Sequence, residues 1–227
     1  MAPIPNAPRS VVQVWRDALT KPNEQTYAEL ANSPDASPGK AYLWIFLASL
    51  VSVFVSVLVR VLVAGSSGQA DQLQSVFGGS MIALICVVPV AAGLAVLGFM
   101  ITTGLVQWVA GLFKGAGTYS QLAYVLGAIS APATLISSIL SVFYAIPFLA
   151  FCLWPVSILL GLYVIVLSVM AVKGVNKFDW GKAIASYLLP TVVFCGLCLL
   201  PIIVIGAMRL LGPKIGDTFS TIQSSLP

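Results

Sequence analysis

The chain has 227 residues, 59% of them apolar and only 8% charged, whereas about a quarter of a typical soluble domain is charged. Its net charge of +4 sits in short loops, so it is a topology signal and not a nucleic-acid footprint. There is no histidine, which removes the usual haem ligand and imidazole base and argues against zinc; no cofactor, metal or catalytic activity is expected.

Residues 1 to 9 are rich in Pro and Ala and are expected to be disordered. Ser10 can cap a short helix on which Val11, Val14, Trp15, Ala18 and Leu19 share a face, with Gln13, Arg16 and Asp17 elsewhere on the wheel. Thr20 ahead of Pro22 predicts a second helix start, and Tyr27, Leu30 and Ala31 continue the apolar edge. This face suits the headgroup boundary or the cytoplasmic loops of the same protein, and both readings stay open. Asn32 to Gly39 is a linker, which makes residues 1–40 a cytoplasmic segment. No apolar leader is visible in it, so the first span is expected to be an uncleaved anchor.

A membrane domain is expected over residues 41–211. Its first span covers Tyr42 to Val63, with Tyr42 and Trp44 as interface anchors. The β-branched run from Val51 to Val59 hints at a strand, but an open strand leaves its backbone unsatisfied in lipid, so helix is the reading. Ala64 to Gly79 is a polar loop. Ser80 to Gly111 forms one long second span with a bend near Pro89 and Gly93.

From Gly115 to Val172 no charged side chain occurs, and a crossing takes about 20 residues, so two crossings fit. Tyr144-Ala145-Ile146-Pro147 divides the stretch into a hairpin, with a third span over Gln121–Phe143 and a fourth over Phe148–Val172. After a compact loop at Asn176–Lys182, a fifth span runs from Ala183 to Leu211, interrupted by Pro190 and Pro201. Residues 212–227 form a tail in which Ile215, Phe219, Ile222 and Leu226 share a face. The fold is thus expected to be all-α: a polytopic membrane bundle of five transmembrane helices with a short amphipathic N-terminal helix. Arg9, Arg16, Lys21, Lys40, Lys114, Lys173, Lys177 and Lys182 fall on one side and Arg60, Arg209 and Lys214 on the other. That asymmetry puts the N-terminus in the cytoplasm and the C-terminal tail outside.

Few motifs carry chemistry. Cys195-Gly196-Leu197-Cys198 has redox-pair spacing but lies in an apolar run, where cysteines also serve as packing residues. Lys114-Gly115-Ala116-Gly117 precedes a helix N-terminus and is a candidate lipid-headgroup site through Lys114, Gly115 and Gly117; the same glycines also suit a tight turn. No Asp or Glu falls within a span, which argues against proton- or sodium-coupled transport. Ser130, Thr134, Ser137 and Ser138 form the available polar stripe, and they serve close helix packing equally well. A faint internal echo links Lys114 and Pro132 with Lys173 and Pro190 as two related hairpins.

Three stretches in order resemble the Ypt-interacting protein (Yip-domain) family of five-span membrane proteins, particularly its prokaryotic members. They are Trp15-Arg16-Asp17-Ala18-Leu19-Thr20-Lys21-Pro22 with Thr26-Tyr27, the run Gly115 to Leu122 continuing to Ala131-Pro132, and Val172-Lys173-Gly174-Val175 followed by Gly181-Lys182-Ala183-Ile184-Ala185 and Leu189-Pro190. The resemblance implies a helical membrane domain with a cytoplasmic N-terminus. Eukaryotic relatives are similar to Rab-GTPase partners and membrane-shaping factors. Their Tyr-Gly-Tyr type motif is replaced here by Ala123-Tyr124-Val125, so the GTPase role is not carried over.

The expected function is contact: an adaptor or accessory subunit of a membrane assembly in the bacterial cytoplasmic membrane, with lipids and other integral membrane proteins or itself as partners. Candidate docking residues are Val11, Val14, Trp15, Leu19, Phe178 and Trp180. The alternative is a small channel or lipid-handling transporter built from the hairpins.

Overall fold

A computed structural model of the chain describes residues 10–67, 81–144 and 146–193, together with 196, 199, 204–206 and 208. The expected loop at 68–79, the Cys195/Cys198 pair and the C-terminal tail lie outside the described residues. Every described element is a helix. Residues 1–187 form one compact unit and residues 188–227 a second.

Two short helices come first. In α1 (Val11–Thr20), Ser10 closes a capping box with Gln13: each residue's side chain accepts the other's backbone N–H. α2 (Glu24–Ala31) starts later than the sequence suggested, with Asn23 and not Thr20 as its cap. Thr20 instead closes α1, donating from Oγ1 to the Arg16 carbonyl at 2.7 Å, and the fixed φ of Pro22 lies in the turn between the helices.

Four long apolar helices follow: α3 (Pro38–Ser67), α4 (Met81–Leu112), α5 (Tyr119–Phe143) and α6 (Pro147–Asn176). Each contains a segment long and apolar enough to cross a bilayer. α4 is one continuous helix through Pro89, and the break between α5 and α6 falls at Tyr144–Ile146, as the proline-marked hairpin required. Of the fifth expected span, residues 180–193 are helical; most of its remainder is outside the described residues.

α5 is the central helix. Half of its span is buried, against 11% for α4, and Leu122 to Ile129 is buried without a break. Over that stretch the helix is enclosed on all sides, whereas Ile136 and Ile139 nearer its end are exposed. Lipid is as apolar as leucine, so close packing must hold such a bundle together. Gly127 meets α3 so tightly that a Cβ there would stand 2.7 Å from the Ala41 Cβ. Trp44, expected at the interface, is instead 5% exposed in the core, 5.1 Å from the Tyr124 ring. Tyr42 keeps a polar role, its hydroxyl 2.8 Å from that of Tyr119.

α6 has 30 residues and at 1.5 Å per residue is about 45 Å long, well over the ~30 Å hydrocarbon thickness. α2 packs along the last turns of this helix.

Candidate functional site

At one end of the bundle, which also carries α1 and α2, the loops after α4 and α6 interlock. Both helices stop on a lysine in the left-handed conformation, Lys114 (φ 61°) and Lys177 (φ 55°). The following N–H reaches back five residues in each case: Gly115 donates to the Ala110 carbonyl at 3.0 Å and Phe178 to that of Lys173 at 3.2 Å. Ala116 then donates to the Asn176 carbonyl at 3.3 Å, and Gln107 Nε2 donates to the Gly117 carbonyl at 2.7 Å. Buried Asn176 returns its amide to Val172 at 3.2 Å. Thr118 caps α5 with Gln121, whose Nε2 donates to Asn32 Oδ1 at 3.1 Å and ties the linker to the junction.

This interlock decides what the glycines do. A Cβ on Gly115 would meet Asn176 Oδ1 at 2.5 Å and Phe178 at 2.8 Å; on Gly117 it would meet Val175 at 2.6 Å. Both glycines therefore serve the close approach of this loop to the end of α6, while the left-handed φ of the turn falls on Lys114 and not on them. Lys114 itself is exposed.

α1 and α2 are fastened to the same end. Val14 and Ala18 are buried, and Trp15 meets Trp44 edge to face at 6.0 Å. The Tyr163 hydroxyl donates to the Leu19 carbonyl and the Tyr27 hydroxyl to that of Ala18, the latter at 2.9 Å. Burial pushes the Tyr27 phenol well above its ordinary pKa, with Tyr163 adding to the effect, so it remains a neutral donor. Lys173 forms an ion pair with Glu24 and lies 4.4 Å over the Trp180 ring. Of the predicted docking residues, Val14, Trp15, Leu19 and Phe178 therefore face this chain's own helices and loops, while Val11 and Trp180, like Val12, are exposed.

Toward the other end a cleft of about 620 Å³ opens between α3, α5 and α6. Ser52 and Ser56 line it from α3; Ser130, Thr134, Ser137, Ser138 and Ser141 from α5; Ser157 from α6; and Tyr144 from the turn. Ser56, Thr134, Ser138 and Ser141 donate to carbonyls of their own helices at 2.7–2.8 Å. Tyr144 lies within hydrogen-bond distance of Ser157 Oγ and of the Leu153 carbonyl.

The sequence matches the model of the Yip1 domain over residues 16–207, from within α1 to beyond the described helix at 204–206. The chain belongs to the Yip1 domain family. No curated protein and no solved structure matches it. The Yip1 domain match takes in α2, the linker and all four long helices, so the fastening of the N-terminal segment onto the bundle is internal to the domain. Within this Yip1 domain, sequence reasoning found Ser130, Thr134, Ser137 and Ser138 on α5 but missed Ser141, Ser52, Ser56, Ser157 and Tyr144. The i, i+4 pair Ser52/Ser56 and the i, i+4, i+7, i+11 set on α5 were the signals available.

Proposed function

We propose that this Yip1 domain protein is a non-enzymatic membrane adaptor or accessory subunit that binds through the bundle end where α1 and α2 dock. The supporting observation is the fastening of those helices: the Lys173–Glu24 pair, the Tyr27 and Tyr163 hydrogen bonds and the Trp15–Trp44 contact fix them on the bundle. A partner would meet a preformed face, which lowers the ordering cost of binding. Val11, Val12 and Trp180 are its exposed apolar members, 43, 72 and 47% accessible. The partners are other integral membrane proteins or further copies of the chain.

This end lies in the cytoplasm and the C-terminal tail outside, in the bacterial cytoplasmic membrane to which the prokaryotic resemblance points. The support for the orientation is the clustering of lysine and arginine near α1, α2 and the two interlocked loops. A maleimide probe should label Lys114→Cys only from the inside and Ile146→Cys only from the outside.

The docking test compares membranes holding equal amounts of wild type and of Val12→Glu with Trp180→Ala. After mild-detergent purification, a membrane-protein partner retained by the wild type should be lost from the variant, while the bundle stays folded with only the small loss of the Lys173–Trp180 contact. Equal recovery rejects this end as the docking face.

A further inference from the structure

We propose that the cleft between α3, α5 and α6 binds the uncharged, hydroxyl-bearing head of a glycerolipid of the diacylglycerol class. This goes beyond the adaptor reading and does not rest on it, because the lining takes no residue from α1 or α2.

Nine of the thirteen lining residues carry hydroxyls, and none carries charge. A phosphate here would have no counter-charge in a low-dielectric site, nor would a cation, so an ionic head is disfavoured. Because Ser56, Thr134, Ser138 and Ser141 donate to their own helices, their oxygen lone pairs remain as acceptors. Ser52, Ser130 and Ser137 make no side-chain hydrogen bond among the described residues and are free to donate. A wall of mixed donors and acceptors without charge matches an alcohol next to carboxylic esters.

Small hydroxyl residues also serve close helix packing, but packing closes the gap between helices. Here the three helices stand apart and leave a volume in the usual ligand-site range of about 300–1,000 Å³. Unpartnered hydroxyls facing plain hydrocarbon are unfavourable, and a polar occupant of the cleft would satisfy them. Ala133, Leu160, Gly161 and Val164 complete the lining, and Ile136, Ile139 and Leu162 lie exposed on the same helices. Acyl chains have an apolar path out from the head.

The test uses the full chain in phosphatidylcholine nanodiscs with a photoactivatable diacylglycerol. Labelling should fall on peptides containing residues 52–56 and 130–144, and unlabelled diacylglycerol should compete where phosphatidylcholine does not. Ser130→Ala with Ser137→Ala should lower labelling by about threefold per hydroxyl removed. Thr134→Val gives an independent variant of nearly unchanged shape should the double variant fold poorly. Competition by free glycerol at equal concentration would reassign the cleft to small polyols and overturn the proposal. So would equal labelling by a photoactivatable phosphatidylcholine, or labelling indifferent to every variant.

Discussion

Gly174 of α6 lies against Glu24 of α2 so closely that a Cβ at position 174 would stand 2.7 Å from the Glu24 carbonyl oxygen and 3.2 Å from the Tyr27 Cβ. The missing side chain is what lets α2 settle on α6 and brings Lys173 onto the Glu24 carboxylate. Gly174→Ala should therefore lift α2 away, at a cost of about 1–3 kcal/mol. A lower melting temperature in detergent and faster chymotryptic cutting after the buried Tyr27 would register it; unchanged cutting would show that α2 is held some other way.

The Lys173–Glu24 pair itself should contribute little. Glu24 is nearly half exposed, and pairs of that kind give about 0.2–1 kcal/mol. Lys173→Met keeps the aliphatic stem but loses the charge over Trp180, so a loss at the upper end of that range is expected, diminishing in high salt. A double-mutant cycle with Glu24→Gln measures the coupling.

Tyr27→Phe removes a buried hydrogen bond and leaves the Ala18 carbonyl with one partner fewer, a loss of about 1–2 kcal/mol. Its effect on pH dependence has a definite sign. The phenol's pKa is raised in the folded state, so the folded protein holds its proton where the unfolded chain releases it. Wild-type stability is therefore flat with respect to this group below about pH 10 and declines above it. Chemical denaturation between pH 9 and 11 should show a shallower decline in the variant.

The left-handed lysines invite the opposite kind of change. A non-glycine residue in that conformation costs about 1–2 kcal/mol, and glycine returns roughly 0.5–1 of it through unfolded-state entropy. Lys177→Gly and Lys114→Gly should each raise stability by about 0.5–1 kcal/mol, read as a higher melting temperature.

How much of this the sequence displayed depends on how local each feature is. The Ser10–Gln13 capping box and the Pro147 break were legible because their partners lie within a few residues. Trp44 was read as an interface anchor because tryptophan near a span end usually is one; only Trp15 from one side and Tyr124 from the other make it a core residue. Half of the cleft was visible as spaced hydroxyls on α5. Ser52 and Ser56 were hidden in a β-branched run, and nothing in the linear order announces that α3 and α6 face those hydroxyls.

The fastening of α1 and α2 also sets an order of events during synthesis. Leu19 and Glu24 emerge first, yet the groups that hold them, Tyr163 and Lys173, are 144 and 149 residues further along the chain. At about 5–20 residues per second, the N-terminal segment waits on the order of 10–30 s for the α6 part of its seat to exist. Its docking is then a late step of assembly, after the third and fourth long helices have entered the bilayer. A chain truncated before Tyr163 keeps the Trp15–Trp44 contact and the packing of α1 on α5, but leaves the edge of α2 that belongs on α6 uncovered.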